Sequence, residues 1–447
     1  MDKNQNNWWN MAGLVALALF LPVLLRGVNY LQRMWVGAEG RLAAITVDGE
    51  RPIGPLPRPW RAIAQGGEDL NTFLDGNEEK VKALGVEYIR IDHIYDRFDV
   101  VSGDGNGVKL DWSRLDRLVD KIATAGAKPF FSLSYMPAEI ASGDEVSEPR
   151  DWGKWQEIVQ KTIEYYSGEK GLEGVYYEVW NEPDLFGKWT IGRRKDYNRL
   201  YYYSALGASQ AKGVKDFKLG GPATTELYKN WVDEFLPYVL EKRLRLDFLS
   251  WHRYDSDEGK YIADMDNADY WLERHPYFSK VEKIISETGI SSEPGGKNDT
   301  RTGAAHLILV ARDLMSRVKY GFNFSLTGKW GMLGKPREQA LAMLAKLEGN
   351  RLPLTGEGTW VKAIAAGDDS RVQVIVVNYD PKERHSEVVP VSFVNLKNQR
   401  FIMKETFLSG ESRQEEVATN GAVWQKEIPM TPNSAVLLEL SAMPEGL

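Results

Sequence analysis

Glu182 and Glu287 are the residues whose settings best suit chemistry. The first falls in "VYYEVWNEPDLF", residues 175–186, where large side chains over residues 175–179 alternate as in a strand. Pro183 cannot continue a ladder, so Asn181 and Glu182 stand at that strand's carboxyl end. Glu287 ends a second apolar run, "KIISETG". Two carboxyl groups facing one another can divide roles: one keeps its proton and acts as an acid, while the other stays ionised and attacks. A structural ion-pair role is the alternative, but carboxylates gathered at strand ends are costly to keep without use. No HExxH, P-loop or dinucleotide glycine motif accompanies them, so neither metal nor cofactor is expected.

For two glutamates 105 residues apart to meet, the chain between them must bring strand ends together. Eight strand-like runs recur: "WRAIAQGG", "EYIRIDHI", "KPFFSLSYMP", "VYYEVWNE", "KLGGPA", "DFLSWHRY", "KIISETG" and "NFSLTGKW". Helical windows fall near residues 77–84, 111–125, 152–166, 195–212, 229–242, 268–280, 302–320 and 336–348. Strands buried on both faces and alternating with helices predict an α/β fold, a (β/α)8 TIM barrel over residues 60–350, with Glu182 ending the fourth strand and Glu287 the seventh. Both side chains then project into one mouth.

From residue 351 to 447 the rhythm becomes short alternating strands with turn residues, as in "TWVKAIAAGDDSRVQVIVVNYD" and "NSAVLLELS", which predicts a carboxy-terminal antiparallel β-sandwich. The linker over residues 36–59 is placed to add strands to it. Residues 1–35 carry an uncharged apolar run, residues 11–25, with Trp8 and Trp9 as interfacial anchors. Counted from Trp8 to Leu25 the segment has 18 residues, about 27 Å of helix, which predicts an uncleaved single-pass transmembrane anchor. The flanking charges do not set the orientation, and an extracytoplasmic catalytic part is the expectation. A net charge of −7 with interspersed signs argues against nucleic acid as a partner. No cysteine is present, which excludes disulfides and thiolate sites. The 15 tryptophans and 20 tyrosines offer flat faces for sugar rings as well as for packing.

The motifs "EVWNEPD", "SETG", "LDFLSWHRYD" and "NRLPLTGEGTWVKAIA" together resemble glycoside hydrolase family 39, the group of β-xylosidases and α-L-iduronidases, over most of residues 60–447. The resemblance implies a retaining mechanism with Glu182 as general acid/base and Glu287 as nucleophile. It also implies that Asn181 holds the sugar 2-hydroxyl, Tyr254 hydrogen-bonds Glu287, Arg90 favours charge on Glu287, and Trp330 forms a stacking wall, with His252 completing the polar floor. The chain departs from the better-known members at "YIRIDHIYD", where Asp92 takes the position of a histidine and His93 follows it. Asp92 shares the inward face of Arg90, two positions earlier, and is expected to touch substrate. Asp92 and His93 could equally hold a loop, and Trp330, Trp180, Trp251 and Tyr135 could each serve packing or platform. The expectation is a membrane-anchored hydrolase of a carbohydrate, a cell-envelope or environmental polysaccharide or oligosaccharide. Its alternatives are a transglycosylase with the same glutamates and an idle glycan-binding scaffold.

Overall fold

The strand-like runs fold as segments buried on both faces. The computed structural model describes residues 40–66, 73–103, 108–397, 400–419 and 422–443. Eight strands, β1 (Ala62–Gln65), β2 (Tyr88–Ile91), β3 (Lys128–Leu133), β4 (Val175–Val179), β5 (Phe217–Thr224), β6 (Phe248–Tyr254), β7 (Glu282–Gly289) and β8 (Tyr320–Phe324), pair in parallel and in chain order. β8 returns to β1, closing the barrel. The crossovers are α1 (Glu78–Ala83), α2 (Ser113–Thr124), α3 (Trp152–Ile163), α4 (Tyr197–Gln210), α5 (Lys229–Glu241), α6 (Glu258–Glu273) and α7 (Arg301–Leu314), with α8 (Pro336–Ala345) following β8.

The lower lumen is filled by Tyr88, Phe130, Tyr176, Phe248, Tyr320 and Phe322. The Phe130 ring lies 5.3 Å from Tyr176 and 4.7 Å from Phe322. An aromatic plug of this kind makes the barrel a packed core rather than a pore and leaves only its upper end for polar groups.

Two elements differ from the sequence pattern. β8 covers residues 320–324, not 323–330, because Tyr320 and Phe322 supply lumen rings while Leu326 N and Thr327 N leave the ladder to bond the Gln65 side chain. α6 begins ten residues before the expected window because Asp257 caps it, its carboxylate accepting from Gly259 N, and Pro276 lies just past its end.

The carboxy-terminal part packs two sheets. One orders Leu354–Thr355, Ile45–Asp48, Glu387–Val394 and Trp424–Met430. The other orders Ser412–Ala418, Arg400–Phe407, Ser434–Ala442, Arg371–Asn378, Val361–Gly367, Asn350–Arg351 and Gly54–Pro55. Ahead of the barrel, Ile45–Asp48 pairs in parallel with Glu387–Val394, and Gly54–Pro55 sits at an edge. The strand at 412–418 escapes a hydrophobic pattern because its side chains are exposed apart from the half-buried Val417, and at 424–430 the fully buried positions are confined to Ile428 and Met430. The apolar segment at residues 8–25 lies outside the described residues, among which no helix is long and apolar enough to cross a membrane.

α7 joins barrel to sandwich. Thr302 Oγ1 donates to Glu383 and accepts from Asn433 Nδ2, and Tyr379 OH donates to Ser256 O at 2.6 Å. Between them the His306 ring is buried against Tyr261 and Tyr379, and burial pushes its pKa down to about 4. The unfolded chain would bind this proton near pH 6.5, so the stability is complete above that pH and is lost as pH falls toward 4, by on the order of 3 kcal/mol. Urea unfolding at pH 7 and pH 4.5 should therefore show a smaller acid penalty in His306→Leu than in the wild type. Equal penalties would reject this role.

Candidate active site

The upper lumen owes its chemistry to two breaks in strand alternation. On β4, Tyr176 and Glu178 point inward while Val175, Tyr177 and Val179 pack against the helices. Strict alternation would turn Trp180 inward. Instead its backbone takes a left-handed φ of 74°, and its ring packs outward against Trp155 and Trp189. Asn181 consequently faces the lumen, and Glu182, with a φ of 44°, follows it over the mouth. Such positions in non-glycine residues cost about 1–3 kcal/mol each and are held by their surroundings. Here Glu182 N donates to the carbonyl of Ala223, itself at a φ of 56° in a bulge of β5.

β7 solves the same problem with a bulge. Ile284 is inward and Ile285 outward, and the register then skips Ser286, so that His252 pairs with Glu287. The extra residue returns Glu287 to the lumen. β6 needs no such device: Phe248, Ser250, His252 and Tyr254 alternate inward, while Trp251 and Arg253 turn out to meet Asp264 on α6.

Arg90 ties these residues together. Fully buried, it donates from Nε to Glu178 (2.7 Å), from Nη1 to Glu287 Oε1 (2.9 Å) and from Nη2 to Asn181 Oδ1 (2.8 Å). Burial works against its charge, but Glu178, Glu287 and Asp92 outweigh it and raise its pKa. Tyr254 OH donates to Glu287 Oε2 at 2.5 Å, and burial together with the Glu287 charge pushes the phenol far above its ordinary range, so it remains a donor. The two oxygens of Glu287 are thus each held by a different donor. Glu182 contacts His252, whose Nδ1 lies 2.8 Å from its Oε1 and 3.5 Å from Glu287 Oε2. Burial opposes charge on this imidazole as well, yet the adjacent Glu287 and Glu182 raise its pKa. One atom each from Glu182, His252 and Glu287 lie within 4.8 Å of one another, a spacing a cation could bridge among the described residues. A guanidinium 2.9 Å from the same carboxylate already supplies the positive charge there.

Above them opens a cavity of about 380 Å³. Asp92 and His93, both expected from the sequence, line it, with His93 Nδ1 2.7 Å from Asp96 and its ring 4.4 Å from that of Tyr135. Burial disfavours charge on His93, but Asp92 and Asp96 prevail and raise its pKa. Trp330 lines the opposite side from the loop after β8, its ring 6.0 Å from Phe324 and its indole donating to Ser292 O. Of the aromatics left open between packing and platform, Tyr135 lines the cavity and accepts a hydrogen bond from Asn181 Nδ2, while Trp180 and Trp251 are core. Glu178 was missed. Its signal is a carboxylate in mid-strand between apolar neighbours, "VYYEV", which demands a buried cation. Phe324 and the pair Leu185 and Phe186, exposed on the rim, were missed too.

A closed parallel barrel with two facing glutamates at the carboxyl ends of its fourth and seventh strands, beneath a polar cleft, is the architecture of a glycoside hydrolase. The family follows from the comparison: the model of glycosyl hydrolases family 39 matches residues 43–305, and the chain belongs to that family. A beta-xylosidase of Caldicellulosiruptor saccharolyticus is 21% identical over 415 residues, covering 81% of this chain and 83% of the relative. Among solved structures, a monomeric beta-xylosidase of Caulobacter crescentus CB15 superposes with a TM-score of 0.78 at 20% identity, over 90% of this chain and all of that one. A family 39 enzyme of Xanthomonas axonopodis pv. citri gives 0.76 at 19% identity, over 90% and 98%. These two likenesses speak to the fold. The enzyme acts on a carbohydrate.

Proposed function

We propose that this enzyme hydrolyses a xylosidase-like glycosidic bond with retention of configuration, in a cell-envelope or environmental polysaccharide or oligosaccharide. The reading rests above all on the spacing of the glutamates. The nearest carboxylate oxygens of Glu182 and Glu287 lie within 4.8 Å of one another, nearer the roughly 5–5.5 Å of double displacement than the roughly 6.5–9.5 Å of an inverting pair.

In the first step Glu287 attacks the anomeric carbon, the bond to the leaving oxygen breaks, and that oxygen takes the proton of Glu182. In the second, Glu182 removes a proton from water, whose oxygen displaces Glu287 from the sugar. The role assignment follows the surroundings: Glu287 is fixed by Arg90 and Tyr254, as a nucleophile must be, whereas the Glu182 carboxylate sits over the cavity in contact with His252. Asn181 gives one amide hydrogen to Tyr135 and keeps the second for a sugar hydroxyl. Asp92 and His93 meet further hydroxyls, and Trp330 with Phe324 walls the ring.

The test is the configuration of the first product. Proton NMR during hydrolysis of an aryl glycoside should show the anomer of the substrate appearing before mutarotation. Initial release of the opposite anomer would overturn the reading.

A further inference from the structure

A second cavity, of about 420 Å³, opens at the same end of the barrel between the loops that follow β2 and β3. Its lining includes Tyr95 and Asp99 from the first loop and Met136, Glu139 and Asp144 from the second. Both cavities fall in the range of about 300–1,000 Å³ typical of small-ligand sites. They are neighbours across a thin wall. Glu145 lines both, and Asp96, on the far side, accepts from the near-side residues His93 (2.7 Å) and Tyr135 N (3.3 Å). Met136 N to Glu145 O, at 2.8 Å, completes the partition. A chain held at Glu182 and Glu287 needs to cross only this rim to enter the second cavity.

We propose that the second cavity is a subsite for further sugar residues of the substrate chain, making this an enzyme of oligosaccharides or polysaccharides rather than of simple glycosides. The proposal rests on the hydrolase reading above. The lining suits the role. Carboxylates accept hydrogen bonds from vicinal hydroxyls, and Tyr95 and Met136 give the walls an apolar part. Its charge also selects. Asp96, Asp99, Glu139, Asp144 and Glu145 face one cation of the lining, Arg97, and although His93 and Arg114 engage Asp96 and Asp99, the balance is negative. Such a field disfavours uronic acid residues and accepts neutral or amine-bearing ones.

The experiment compares kcat/KM for an aryl monoglycoside with that for oligosaccharides of two to five units of the same sugar, in the wild type and in two variants. Ala138→Trp puts an indole into the second cavity from an exposed position, and Glu139→Gln/Asp144→Asn removes two of its carboxylates without touching the glutamate pair. Wild-type kcat/KM should rise about tenfold or more with chain length, the equivalent of about 1.4 kcal/mol. Ala138→Trp should cancel that rise while holding the aryl glycoside within twofold. The double variant should weaken it and relax discrimination against uronate-containing oligomers. Chain-length-independent kinetics, or equal losses on both substrate types, would overturn the proposal while leaving the hydrolase reading intact. Absence of turnover on every aryl glycoside and oligosaccharide would overturn the hydrolase reading and this proposal together.

Discussion

Glu287→Gly is expected to lower turnover by roughly 10⁵-fold or more, because the proposed mechanism makes its carboxylate the group that attacks the anomeric carbon. The substitution also vacates an anion site. Arg90 Nη1 and the Tyr254 hydroxyl, which hold the carboxylate at 2.9 and 2.5 Å, would both remain in place. Arg90 keeps Glu178 and Asn181 as partners, so the guanidinium does not lose its anchorage. Removing one member of a buried charge network costs on the order of 3–5 kcal/mol, and a thermal melt should accompany the kinetics to show that the variant is folded. Added azide fits the vacated space as a small anion and attacks from the face Glu287 used. One displacement in place of two gives a glycosyl azide of inverted configuration, with part of the activity restored. A retained azide product, or activity of the glycine variant near that of the wild type, would remove Glu287 from the nucleophile's role.

Much of this site is legible in the sequence, and the part that is not has a specific cause. His252 and Tyr254 sit two apart on β6, and Asp92 stands one residue past the end of β2, two positions after Arg90, so placing both members of each pair on one face needs little more than the period of a strand. The same rule fails on the strands that carry the catalytic candidates. Glu178 and Asn181 both reach Arg90 although they stand three positions apart, and Ile284 and Glu287 likewise share the lumen face. One offset comes from the left-handed backbone of Trp180, the other from the bulge at Ser286. Neither has a residue signature, because the strained position is a tryptophan rather than a glycine. Strand ends, proline and the Asn-Glu pair locate the chemistry, whereas its aim is set by local geometry imposed by neighbours such as Ala223. The second cavity is hidden for a related reason: its lining comes from two loops about 40 residues apart in sequence, and nothing in the charge pattern of either joins them.

Glu182→Ala should affect substrates according to their leaving groups. A sugar hydroxyl leaves only with protonation, so kcat/KM on natural glycans should fall by about 10²–10⁴-fold, the usual contribution of a positioned acid. A dinitrophenolate leaves without help, and for such glycosides the first step should survive nearly intact. The second step should not survive, because the water that breaks the glycosyl–Glu287 ester loses its base. The variant should therefore show a burst of one equivalent of phenol followed by slow turnover. Azide needs no base, so it should accelerate the slow phase and, attacking from the face of the departed aglycone, yield the retained glycosyl azide. His252 supplies an internal control. In the variant it loses the partner 2.8 Å away but keeps Glu287 at 3.5 Å, so the imidazole remains beside a carboxylate without replacing the lost acid. Equal losses on phenolate and sugar leaving groups would show that Glu182 positions the substrate without transferring a proton. Exchange of the two azide configurations between the Glu182 and Glu287 variants would show that the roles are reversed.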